Sequence, residues 1–167
     1  MNDNRPYITI NLKPILHDFM LHEFNSTEDG AILLTERHDI GRYINTMWSV
    51  SDKPVKEKEY MFPVKMIIPL KSNSAYILKY NFIHVTTWKH VQIINYIEAE
   101  FQRRIKDYFS IGYEKKFKQV DIINGFLQAY NIKNNQLNFD QVKKLDYRNR
   151  YRFRESIAKS IEASIIQ

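Results

Sequence analysis

The stretch TTWKHVQIINYIEAEFQRRIKDYF, residues 86–109, decides the architecture. Val91, Ile94, Ile97, Phe101, Ile105, Tyr108 and Phe109 recur in it at helical intervals. That period belongs to an amphipathic helix with one buried face. Lys89, Gln92, Glu98, Gln102 and Arg103 supply its polar flanks, Thr86 or Thr87 can cap it, and Gly112 marks the expected end. A helix this long needs a surface to lie on, and the residues before it supply a small sheet.

Upstream, YITINL (Tyr7–Leu12) alternates with period two and predicts a strand. Pro14 suits a first helical turn, and Ile15, Leu16, Phe19, Met20 and Phe24 follow at helical spacing. NSTEDG (25–30) is a polar turn, and Ala31–Leu34 a short strand. Asp39 is placed to cap a second helix holding Ile40, Tyr43, Ile44, Met47 and Trp48. Residues 49–60 are charged, contain a Pro and lack an apolar face, so they read as a loop. Pro63 and Pro69 bracket VKMII, which predicts an edge strand because Pro cannot donate to a ladder. KSNS (71–74) would turn it into a hairpin with Tyr76–Ile83.

Downstream the pattern is helical throughout. A helix over 117–130 would bury Val120, Ile123, Phe126, Leu127 and Tyr130. NIKNNQLN (131–138) reads as a polar connection. A short helix follows from Phe139, capped by Asn138 or Asp140, with Val142 and Leu145 inside. A separate last helix over 147–166 carries Tyr151, Phe153, Ile157, Ile161 and Ile165 on one side. The expected fold class is therefore α+β. A mixed domain over 1–110 holds the small sheet, its covering helices and the long helix, and a basic helical subdomain occupies 111–167.

Composition removes several function classes. The 167 residues are 44% apolar and hold no cysteine, which excludes a disulfide framework, a thiolate zinc site and a Cys nucleophile. Four glycines cannot build a glycine-rich phosphate cradle. No apolar run approaches the ~18 residues of a membrane span, and MNDNRPYITI lacks the order of a secretory signal. The expectation is a cytoplasmic protein with no membrane partner. His17 and His22 stand five apart, where a helical ligand pair needs three or four. His38–Asp39, His84 and His90 find no second ligand at a suitable spacing. Glu23, Glu36, His38 and Asp39 sit among ordinary polar surface. We expect no catalytic residue, no metal and no cofactor, hence no enzyme.

Charge is more informative once divided. The chain carries 25 Lys and Arg against 19 Asp and Glu, a net charge of +6. Residues 1–99 hold 11 basic and 11 acidic side chains, and residues 100–167 hold 14 and 8. The whole excess lies in the last part, where it can draw polyanions. Lys143, Lys144, Arg148, Arg150, Arg152, Arg154 and Lys159 fall within 17 residues, interleaved with Tyr147, Tyr151 and Phe153. On a helix, Arg148, Arg152 and Lys159 share one stripe, and Arg150 and Arg154 another. Arg forks grip phosphate, and Tyr can bond phosphate or stack on bases. Lys143, Lys144, Tyr147, Arg148, Arg150, Tyr151, Arg152, Arg154 and Lys159 are accordingly the candidate nucleic-acid-binding residues, with DNA ahead of RNA. A helix that only solubilises the lobe, or that binds an acidic protein, is the competing reading. The order of the last helices resembles a helix-turn-helix, although its connection is long and lacks Gly.

The sequence of segments also resembles a loose family of small uncharacterised proteins of Bacteroidetes bacteriophages and mobile elements. ITINLKPILHDFMLHEF, HDIGRYINTMW, VKMIIPL and KYNFIHVT carry the first part of the likeness, and IINGFLQAYNI followed by LDYRNRYRFRE carries the rest. The closing segments resemble the DNA-binding end of replication initiators. The resemblance implies an element-encoded protein of the bacterial host cell or the virion. It carries no catalytic motif. It leaves open a phage or host protein as partner, through residues 64–70 or 49–60, and a homo-oligomer.

Overall fold

A computed structural model of the protein describes residues 5–56, 58–69 and 82–165. The elements run β1 (Tyr7–Asn11), α1 (Pro14–Glu23), β2 (Ile32–Leu33), α2 (Asp39–Asn45), β3 (Ser49–Ser51), β4 (Pro63–Ile67), β5 (Phe82–His84), α3 (Thr87–Glu114), α4 (Gln119–Ala129) and α5 (Gln136–Ile165). The class is α+β, with both sheets before residue 85 and helices after it. The chain divides into two units, Met1–Glu100 and Phe101–Gln167, with the boundary inside α3 and ten residues earlier than the sequence suggests.

In the first unit β4 lies between β1 and β2, antiparallel to β1 and parallel to β2. The expected edge strand is thus the central one. Pro63, opposite Asn11, is only its first residue and Pro69 lies beyond its last, so neither proline interrupts the interior of the strand. The register sets Ile8 beside Met66, Ile10 beside Val64 and Ile32 beside Met66. All five are buried, with Leu16, Phe19 and Met20 of α1. On the other face Lys65 sits over the Tyr7 ring at 4.9 Å.

The expected loop begins as a strand: β3 pairs antiparallel with β5, Val50 opposite Ile83. The expected hairpin partner, Tyr76–Ile83, lies outside the described residues apart from Phe82 and Ile83, which pair with β3 rather than β4. Asp39 is the first helical residue of α2, after His38 at the cap, and pairs with Arg42 three positions on.

The buried stripe at the start of α3 differs from the sequence reading. His90, Ile93 and Ile97 are inside, whereas Val91 is 48% exposed and Ile94 only half-buried. Three apolar residues, Val91, Ile93 and Ile94, occupy that turn, and a polar demand selects the register. The Asn11 N–H donates to His90 Nε2 at 3.0 Å, and His90 Nδ1 faces the Tyr60 hydroxyl at 2.9 Å. Tyr43 stacks on Tyr96 with centroids 4.1 Å apart, and Lys13 pairs with Glu98 at 3.1 Å.

In the second unit the end of α3 buries Phe101, Ile105 and Phe109, and α4 buries Ile122, Ile123, Phe126 and Leu127. Val120, expected inside, is 54% exposed. Gly112 does not end α3. A Cβ there would lie 2.7 Å from the Ile122 side chain, so the glycine permits close approach of the two helices. Termination falls to Lys116, whose φ is 61°. Its N–H donates to the Tyr113 carbonyl and that of Phe117 to the Gly112 carbonyl, both at 3.0 Å, forming a Schellman stop without glycine. Asn131 (φ 52°) repeats the device after α4, with Ile132 N–H bonded to the Leu127 carbonyl at 2.8 Å.

Among the described residues no helix is long and apolar enough to cross a membrane.

Candidate nucleic-acid interface

The two closing helices expected from the sequence are one. Asn135 caps α5 through Oδ1, which accepts the Asn138 N–H at 2.8 Å. From there the helix runs unbroken to Ile165. Neither Asn138 nor Asp140 is the cap; Asn138 is buried and donates its amide to the Lys133 carbonyl at 2.8 Å. The expected arrangement of a short helix followed by a separate basic one is absent, because no residue of 139–150 interrupts the ladder.

The root of α5 is held by a carboxylate. Asp146, 2% exposed, accepts from Tyr113 Oη at 2.7 Å and Gln119 Nε2 at 2.6 Å. Arg150 reaches the same oxygen at 3.0 Å, one turn along, and lies 5.2 Å over the Tyr113 ring. Burial, then the bond to Asp146, pushes the Tyr113 hydroxyl up to about 12. Sequence reading passed over this anchor. Its one signal was a lone acid within a basic run, and such an acid on a solvated helix face looks the same.

Beyond the anchor the helix is bare. Every residue from Arg150 to Ile165 is exposed. The apolar residues that the sequence sets on one side of the last helix are not buried: Ile157, Ile161 and Ile165 are 44%, 53% and 76% exposed. The structure brings all nine candidate residues onto this single element. Lys143, Lys144, Tyr147, Arg148, Tyr151, Arg152, Arg154 and Lys159 are exposed, and Arg150 is committed to Asp146 and Tyr113. Tyr151 is bonded to Glu155, which raises its hydroxyl above the ordinary value. At 1.5 Å per residue, Arg148, Arg152 and Lys159 span ~16 Å along one side. A helix ~10–12 Å across fits a major groove ~12 Å wide. Such an element can insert in a groove or lie along a phosphate backbone.

Two cavities offer a contrast. One, of about 110 Å³, is lined by Tyr7, Thr9, Lys56, Lys58, Tyr60 and His84. It lies below the ~300 Å³ at which ordinary ligand pockets begin. The other, of about 420 Å³, is framed by Tyr108, Ile111, Phe117 and Ile122, with Asp121 as its single charged group. Among the described residues no group of three His, Asp or Glu side chains could hold a metal ion. His38 instead packs edge-on against Phe24 at 5.1 Å. Compared with protein-family models, with curated proteins and with solved structures, the chain matches none.

Proposed function

We propose that the protein is a non-enzymatic nucleic-acid-binding protein of a phage or mobile element, acting inside the bacterial host cell. It grips DNA through the basic length of α5. The observation behind this reading is the gathering of Lys143, Lys144, Arg148, Arg152, Arg154 and Lys159 on one helix, all exposed and none in an ion pair among the described residues. Side chains placed this way suit backbone contact, with Tyr147 and Tyr151 able to bond phosphate or stack on exposed bases.

Such binding draws on released counterions, so log affinity falls with log salt by about 0.9 per phosphate contact on duplex DNA. A fluorescence-anisotropy titration over a salt series measures this slope. Replacing Arg148 and Arg152 together by Gln flattens it by roughly two contacts and leaves the thermal midpoint unchanged. Absence of DNA or RNA affinity in the wild-type chain at low salt, where the attraction is strongest, refutes the reading. A second reading, a phage-encoded interaction protein that binds a virion component or host protein, is favoured by the bare isoleucines of α5, which phosphate cannot satisfy.

A further inference from the structure

We infer that the exposed length of α5 is the pairing surface for a second copy of this chain, in antiparallel orientation. The inference goes beyond the nucleic-acid reading and stands without it. Tyr147, Tyr151, Arg154, Ala158, Ile161 and Ile165 are spaced four, three, four, three and four apart. This is the alternation of a coiled-coil seam. It is exposed along its whole length, and Ile157 flanks it. The stripe holds about five turns of helix, enough for a two-helix contact at the small end of specific interfaces. The association is therefore weak and concentration-dependent.

Charge selects the occupant and its direction. Residues 147–154 carry Arg148, Arg150, Arg152 and Arg154 and no acid. Residues 155–165 carry Glu155 and Glu162 against Lys159. A parallel pair would set the four-arginine half against itself and place Arg154 on its own copy inside the seam. An antiparallel pair sets that half against the partner's acidic half. Its layers join Tyr147 to Ile165, Tyr151 to Ile161 and Arg154 to Ala158, where a small side chain leaves room for the arginine stem to reach water. Arg148 and Glu162 then flank the seam opposite each other. Arg152 and Lys159 of both copies remain outside and open to a polyanion, while Arg148 and Arg154 are taken up by the pairing.

The test uses the full chain, which contains no cysteine. Tyr151→Cys and Ile161→Cys variants, at exposed positions, are treated with a short bis-maleimide singly and as an equal mixture. Antiparallel pairing gives covalent dimer in the mixture and little in either variant alone. Equal cross-linking of Tyr151→Cys by itself overturns the orientation. Sedimentation across a concentration series should show wild-type dimer, lost in Ile161→Asp while the packed residues before Arg150 keep their thermal midpoint. Arg148→Glu and Glu162→Arg should each weaken the dimer about tenfold, and together restore it, since two symmetric pairs turn from attraction to repulsion. A wild-type chain that stays monomeric at every concentration overturns the proposal. So does a seam that becomes protected only when duplex DNA or another protein is added, which assigns the stripe to that occupant. Each result is read without nucleic acid except the last, so failure of pairing and failure of DNA binding are separable.

Discussion

Replacing Asp146 by Ala removes one acceptor from three donors at once. Tyr113 Oη, Gln119 Nε2 and Arg150 stand 2.7, 2.6 and 3.0 Å from the same oxygen, and the carboxylate is 2% exposed. Breaking a buried charged pair costs about 3–5 kcal/mol. The Arg150 side chain is 45% exposed and regains water, so its share falls to that of a surface pair, at most about 1 kcal/mol. The two bonds to Tyr113 and Gln119, each charge-assisted, contribute about 1.5 kcal/mol apiece at the low end. The expected loss is about 3 kcal/mol, a large fraction of a small domain's stability. Asp146→Asn keeps one carbonyl oxygen and should lose about half as much. Urea titration of the full chain, followed by tyrosine fluorescence and far-ultraviolet dichroism, gives the difference, with Glu155→Ala as an exposed control. A second readout is the Tyr113 titration by ultraviolet difference. Its value near 12 should fall toward 10 without reaching it, because burial is the leading cause and remains. Asp146→Ala stability within about 0.5 kcal/mol of wild type would refute the anchor, as would an unmoved Tyr113 titration.

Burial, and then the Lys58 ammonium, hold His90 below its ordinary 6.5. The unfolded chain therefore binds the extra proton first, so stability is full above pH 6.5 and declines as pH falls toward the folded value. A urea series from pH 8 to 5 should show this decline, and His90→Gln should remove its share. Lys116 occupies a left-handed position at φ 61°, so Lys116→Gly should raise stability by up to about 1 kcal/mol in thermal unfolding, and a loss would show the strain to be absent. Ile97 has no exposed surface, and Ile97→Asp should abolish cooperative melting, since an unpaired buried charge costs several kcal/mol. A soluble, cooperatively melting Ile97→Asp chain would remove Ile97 from the core.

Much of the fold was legible where one period dominated. Ile8 and Ile10 alternate, Phe19 and Met20 recur at helical spacing, and Ile97, Phe101, Ile105 and Phe109 lie on one stripe; all are buried. Reading failed where two patterns overlapped or where a partner distant in sequence decided. At Val91–Ile94 either stripe is apolar, and the buried one carries His90, which accepts the Asn11 N–H. Pro63 and Pro69 suggested an edge because Pro lacks a donor, yet Pro63 is only the first residue of the central strand and Pro69 lies beyond its last. Gly112 looked like a stop, but the stop is a lysine in a left-handed conformation, which no propensity favours. The polar run of 131–138 hid a helix start at Gln136, and apolar spacing at 157, 161 and 165 implied burial that the structure does not provide. The nine candidate residues were expected on two helices, whereas they share one, and the pairing of Arg150 with Asp146 was not visible in the sequence.

The division of α5 at Asp146 also partitions its cooperativity. Residues before the carboxylate share the packing of Val142 and Ile132, and their amides should exchange with solvent only when the unit opens. Residues after it have their own backbone ladder and little else. An unsupported helix of roughly this length is marginal in water, because nucleation is costly and propagation gains little per residue. The tail should thus behave as a helix–coil element grafted on a folded root, with amide protection dropping past Arg150. Anything that settles on it inherits the entropy of ordering it, which lowers affinity and leaves specificity intact. The anchor fixes where order begins, and the occupant of the tail sets how far it extends.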